Sequence, residues 1–228
     1  MYSIVVRHPM SITQQAPVVF IQYLAAMAVV EAVRQDLPET LRKKNPVRLK
    51  WPNDIYAMDP KTSSLTKIGG VLVNSHYSST EYLCVVGVGL NLNNEAPTTS
   101  LSRVLAATPG YPSQSGFRDE ALFARILVTF SGLYELFKHK GWDGELERIY
   151  LDSWLHGDQI VHVDGDVEGA KVAEEGCWVR VLGITRDWGL LRCEECDESG
   201  GWKEGKEVQL QPDGNSFDFF RGLLRRKV

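Results

Sequence analysis

The hydrophobic pattern of this chain changes character once, and that change limits the folds open to it. Ahead of about Leu155, runs with a two-residue or continuous apolar pattern alternate with helical ones. Beyond His156 only short β-type runs remain, separated by Gly and Asp turns. In the first part the pattern predicts strands at Tyr2–Val6, Val47–Lys50, Ile68–Asn74 and Tyr82–Leu90. It predicts helices at Ala16–Leu37, stopped ahead of Pro38, at Glu120–Lys140, ended by Gly141, and from Gly144 to about Trp154. The Pro-, Thr-, Ser- and Gly-rich stretch Ala96–Ser115 reads as a surface loop. In the second part strands are expected at Gln159–His162, Cys177–Ile184, Gly189–Arg192 and Glu207–Leu210, a spacing that suits a small all-β barrel or sandwich. Residues 1–155 and 156–228 are therefore read as two domains.

Charge is divided along the same line. Through Tyr150 there are 15 Lys+Arg against 13 Asp+Glu, and beyond it 10 against 16, so the two parts carry different surfaces. The net charge of −4 gives no basic footprint for nucleic acid. The most apolar stretch, Ala16–Val30, is interrupted by Gln22 and falls short of the roughly 20 residues that cross a bilayer. It lacks the charged flank of a signal peptide and reads as a buried helix. Of the four cysteines only Cys193 and Cys196 form a CxxC. Neither a second CxxC nor a spaced His pair completes a zinc site, so no structural metal is expected. Nor do the five histidines show ligand spacing. With no disulfide framework, a reducing compartment is expected.

Three segments carry chemistry. In Lys50-Trp51-Pro52-Asn53-Asp54, the proline stiffens the end of a strand and aims the side chains that follow. Asn53 offers a donor and an acceptor, and Asp54 a hard carboxylate of the kind that holds Mg²⁺ against phosphates. The same residues also suit a plain turn beside a buried tryptophan. In Lys67-Ile68-Gly69-Gly70-Val71-Leu72, a cation stands where glycines let a ligand approach the backbone. An exposed lysine at a strand entrance is the alternative. Gly87-Val88-Gly89-Leu90-Asn91 lacks the glycine spacing of a dinucleotide fingerprint, but its small residues describe a flat floor from which Asn91 projects an amide.

Taken in order and at these separations, the three segments resemble the biotin–protein ligase family, and Trp154-Leu155-His156 and Gln211-Pro212-Asp213-Gly214-Asn215-Ser216-Phe217-Asp218 resemble its eukaryotic members, the holocarboxylase synthetases. Arg186-Asp187-Trp188-Gly189-Leu190 points to a fungal type. The resemblance implies an α/β (α+β) catalytic domain on a mixed sheet like that of class II aminoacyl-tRNA synthetases, followed by an SH3-like β-barrel. It implies a ligase that makes biotinyl-AMP from biotin and MgATP and passes biotin to one lysine of the carrier domains of biotin-dependent carboxylases. No nucleic acid or membrane partner and a cytoplasmic location are implied as well. By matching positions, Lys67 would be catalytic and touch the biotin carboxyl region. Lys50, Asn53 and Asn91 would bind nucleotide, Asp54 would hold Mg²⁺, and Gly70, Leu72, Gly87, Gly89 and Leu90 would form the biotin floor.

In the family, further strands and helices precede the segment matching Tyr2–Val6 and carry a Gly-Arg-Gly-Arg loop that closes over the adenylate. This sequence contains no such loop. The front of the catalytic domain is thus expected to be missing, leaving an open sheet edge, exposed apolar surface and little activity in residues 1–228 alone. Lipoate–protein ligase, or a non-catalytic remnant that serves as a binding module, are the other readings.

Overall fold

The computed structural model describes residues 1–94, 99–112, 118–165, 175–212, 215–218 and 221–226. They form two compact units, Met1–Leu155 and His156–Val228.

The first unit is built on five strands: β1 (Tyr2–Pro9), β2 (Val47–Lys50), β3 (Asp54–Met58), β4 (Leu65–Tyr77) and β5 (Glu81–Leu90), in the order β1-β5-β4-β3-β2. Every pairing among them is antiparallel, and the parallel component of the expected mixed sheet is reduced to the single bridge Leu49↔Trp154. Hairpins join β2 to β3, β3 to β4 and β4 to β5, and short connections between neighbouring strands produce antiparallel pairing. Strand β3 escaped the sequence pattern. Ile55, Tyr56 and Ala57 are all buried, so the five residues show none of the alternation that marks a half-exposed strand.

Helix α1 (Phe20–Asp36) lies against this sheet and is buried on nearly all sides, which is why its sequence is apolar without a polar stripe. It begins four residues later than expected. Pro17 disfavours helix at Ala16, and the chain enters through 3-10 type bonds from Phe20 N to Pro17 O (3.1 Å) and Ile21 N to Val18 O (3.1 Å). Helix α2 (Glu39–Arg42) follows Pro38. Helix α4 (Asp119–Lys140) buries Leu122, Ile126, Phe130, Leu133 and Phe137 against α1, a single stripe at helical spacing. It stops at Gly141, whose φ of +67° suits glycine and whose missing side chain lets Gln15 O approach. The Asp143 carboxylate then accepts from Glu145 N and Leu146 N (3.1 Å each) and caps α5 (Gly144–Ser153).

The expected loop at Ala96–Ser115 needs correction. Residues 96–98 and 113–115 lie outside the described residues, but α3 (Leu101–Ala107) occupies the middle and buries Leu101, Val104 and Leu105. One turn of i, i+3, i+4 spacing was masked by its Pro- and Ser-rich flanks.

Among the described residues the second unit holds six strands, β6 (Ile160–Val163), β7 (Cys177–Ile184), β8 (Leu191–Cys196), β9 (Trp202–Leu210), β10 (Asn215–Asp218) and β11 (Leu223–Arg226). They form one sheet in the order β10-β11-β6-β7-β8-β9, with β11 parallel to β6 and the other pairs antiparallel. Its core is Val161, Val163, Val179, Val181, Leu191, Cys193, Leu210 and Leu224. Cys193 and Cys196 are buried here, and burial pushes the Cys193 thiol up, so it stays protonated. Among the described residues no group of three His, Cys, Asp or Glu side chains is placed to hold a metal. No described helix is long and apolar enough to cross a membrane.

Candidate active site

The two faces of the five-stranded sheet differ. Leu49, Ile55, Ile68, Val71, Val86 and Val88 are buried beneath the helices. By the two-residue period of a strand, their neighbours face the other way. That second face carries Lys50, Asp54, Lys67, Gly70, Leu72, Gly87 and Gly89.

Strands β2 and β3 meet at the turn Trp51–Asn53, where the Trp51–Pro52 peptide is cis. The Trp51 side chain is 2% exposed and hydrogen-bonds Tyr23 of α1, so the turn is anchored in the core. The plain turn beside a buried tryptophan is therefore present, and it serves as the post for the polar residues. Asn53 is tied to β4 by its main chain, with Val71 N donating to Asn53 O (2.9 Å), and by Nδ2, which donates to Val71 O (2.8 Å). Lys50 stands opposite Asp54, and Asp54 opposite Gly70.

Lys67 reaches this group through an irregularity in β4, whose register against β3 shifts between Ile55 and Tyr56. With that shift Lys67 and Gly70, three residues apart, serve the same face, since a bulge re-aims a side chain by one position. Lys67 Nζ lies 2.5 Å from Asp54 Oδ1. The two side chains are 53% and 22% exposed, and a pair so placed contributes at most about 1 kcal/mol to stability. Its arrangement is not demanded by folding. A side chain at Gly70 would press on Asp54 Oδ1 (3.3 Å) and approach Lys67 Cε (3.8 Å), so glycine there leaves room for the pair.

Beyond the pair, Gly70 faces Gly89 and Leu72 faces Gly87 across β4 and β5. A Cβ on Gly89 would meet nothing within 4 Å, and one on Gly87 only Leu72 O (3.7 Å) and Ser3 Oγ (3.9 Å). Glycine at these two places is not required by backbone crowding, and the result is a flat, open floor. Leu72 is 64% exposed on it. Leu90 does not join this floor. One residue past Gly89, it belongs to the opposite face, where its Cδ1 lies beside Gly69. Asn91 follows at the strand end, held by Asn91 N to Ile68 O (2.7 Å) and by Leu101 N of α3 donating to Asn91 O (2.8 Å).

Tyr56 belongs to the same face, although no motif drew notice to it. It pairs with Lys67 across the strands, and Lys50 Nζ lies 6.0 Å from its ring centroid. Burial, with the Asp54 charge adding to it, pushes its phenol pKa up, so it remains neutral. Its position two residues after Asp54 was the available signal.

The fold is similar to that of solved biotin protein ligases. Solved structures of the biotin protein ligase of Aquifex aeolicus, apo and in complex with biotin and ATP, superpose with TM-scores of 0.54 and 0.53 at 19% identity. They cover 99% of this chain and 82% and 79% of theirs. Residues 1–91 match the model of the Biotin/lipoate A/B protein ligase family. It is 36% identical over 208 residues to biotin–protein ligase 2 of Arabidopsis thaliana and 35% identical over 213 residues to the biotin–protein ligase of Homo sapiens. Each alignment covers 91% of this chain, but 57% of the first relative and 26% of the second. The chain thus spans about half the length of the first relative and a quarter of the second.

Proposed function

We propose that the chain supplies the biotin- and nucleotide-binding wall of an ATP-dependent biotin–protein ligase. The observation that carries this reading is the Lys67–Asp54 pair beside the unfilled floor of Gly70, Gly87 and Gly89. In the proposed first step a biotin carboxylate oxygen attacks the α-phosphorus of ATP. Biotinyl-AMP forms and pyrophosphate leaves. In the second, a lysine amine of a carboxylase carrier domain attacks the acyl carbon, AMP departs and the nitrogen loses its proton.

Lys67 binds the biotin carboxylate and stabilises the charge that moves as the two anions meet, the kind of preorganised cation that acts on a transition state. Lys50 and Asn53 hold the nucleotide from the hairpin, and Asn91 from the end of β5. Leu72 extends the apolar floor, and Leu90 supports it from behind rather than touching biotin. Mg²⁺ bound with ATP would neutralise phosphate charge. Asp54 fits that ion as the one carboxylate which, with phosphates and waters, usually suffices for it. The six-stranded unit is read as the family's SH3-like barrel, and the location as cytoplasmic.

The test uses a chimera in which a family segment bearing the Gly-Arg-Gly-Arg loop precedes Met1. Biotin-dependent ATP–pyrophosphate exchange is expected, with transfer to a carrier domain, and both should be lost in Lys67→Ala. Exchange with lipoate in place of biotin would reassign the acid. A folded chimera inactive with both acids would leave a binding module.

A further inference from the structure

A cavity of about 500 Å³ opens in the first unit where the last turns of α1 and α5 meet the chain leading into β2. It takes in none of the residues of the candidate active site. Its charges are one-sided. Two carboxylates line it, and both are already matched: Arg34 Nε donates to Glu31 Oε1 and Oε2 (3.0 and 2.8 Å), and Arg148 Nη1 to Asp152 Oδ2 (3.0 Å). Arg42, Lys43 and Arg48 also line it, and among the described residues none of the three has an acidic partner within 4 Å.

Arg48 is the telling one. Its Nη1 donates to the carbonyls of Asn45 and Val47 (3.1 Å to the latter), which fixes the guanidinium at the cavity wall. Burial pulls its pKa down, because the charge is partly desolvated without a counter-ion. It stays charged at neutral pH even so. The carbonyl ends of α1 and α5 contribute about half a negative charge each, leaving a surplus of about two positive charges. One phosphate group carries about −1.5 to −2 and matches that surplus. Guanidinium forks suit phosphate oxygens, and the cavity lies in the range of about 300–1,000 Å³ usual for small-molecule sites. A confined pocket on a chain of net charge −4 is not the continuous basic stripe that nucleic acid requires.

We propose that this cavity is a second ligand site that binds a small phosphate-bearing anion through Arg42, Lys43 and Arg48. Inorganic pyrophosphate is the probe, titrated calorimetrically into the purified chain. Saturable binding is expected. Each charge-assisted hydrogen bond contributes about 1.5–3 kcal/mol, so R42Q/K43Q and R48Q should each weaken it roughly tenfold or more. The remote Lys61→Gln should leave it unchanged. Arg42 and Lys43 are exposed, so the double variant decides the matter even if R48Q fails to fold. The proposal is overturned by any of three results: no saturable binding, equal weakening by Lys61→Gln, which would mean diffuse surface charge, or loss only in Lys67→Ala, which would put pyrophosphate in the candidate active site.

Discussion

At the residue scale, two buried or half-buried polar groups show how local geometry assigns a role. Asp54 has Lys67 against one oxygen and Gly70 beside it, an arrangement that leaves its charge accessible from the open face. Asp54→Asn keeps the size and the hairpin but removes the charge proposed for Mg²⁺. In the chimera its apparent Mg²⁺ affinity should fall, with exchange partly restored by excess Mg²⁺; a titration that overlays the parent's makes Asp54 structural. His8 is a different case. It is fully buried, with Nε2 2.8 Å from Ala16 O, which can only accept. The ring therefore donates from Nε2, leaving Nδ1 to accept from Tyr134 OH at 3.0 Å. That neutral tautomer is favoured by burial, and nearby Lys138 also lowers the pKa. A folded pKa below the unfolded value of about 6.5 means that the unfolded chain binds more protons in the interval between them. Stability should then fall as pH drops below about 6.5. Urea midpoints at pH 7.5 and 5.5 should differ more for the parent than for His8→Gln.

At the scale of elements, β4 and β5 carry the functional surface, and their glycines separate folding from binding. Glycine inside a strand costs about 0.5–1 kcal/mol relative to alanine, and Gly89 has open space where a side chain would stand. Gly89→Val should therefore leave the melting temperature unchanged or raise it, since β-branched residues suit strands. The same substitution should weaken biotin binding about tenfold or more by filling the floor. Unaltered binding would take Gly89 out of the site. Helix α4 was readable in advance from Leu122, Ile126, Leu133 and Phe137, because 22 residues repeat one stripe several times, and the structure adds Phe130 to it. Helix α3 and strand β3 offer seven and five residues. In so short a span, periodicity competes with flanking Pro and Ser, or with burial on both faces, and loses.

For the whole molecule, the consequence of the sheet's two faces is exposed apolar surface. Val5 is 62% exposed, Leu72 64%, Leu83 40% and Val85 37%, and register places Val5 opposite Val85 on the same side as Leu72. Strand β1 stands at the edge of the sheet, with β5 its one described neighbour. Contiguous apolar surface beside an open edge favours association between chains. Val5→Thr with Val85→Thr keeps β propensity and removes apolar surface. The double variant should show less light scattering on heating residues 1–228 while its circular dichroism is preserved. Equal scattering would locate the association elsewhere.

The amino-acid sequence alone determined the long helices and most of the strands, the change to β structure near Leu155, and the three segments that look like a ligase. Each rests on local periodicity or on a motif short enough to read directly. Only the tertiary structure decided which residues meet. Lys67 and Asp54 are thirteen positions apart, and a register shift in β4 brings them to 2.5 Å. Leu90 and Gly89 are adjacent, yet strand alternation sends them to opposite faces. Tyr56 joins the site through a pairing with Lys67 that no linear motif records. A motif specifies residue types along one dimension, whereas the face a side chain serves depends on hydrogen-bond register between strands distant in sequence.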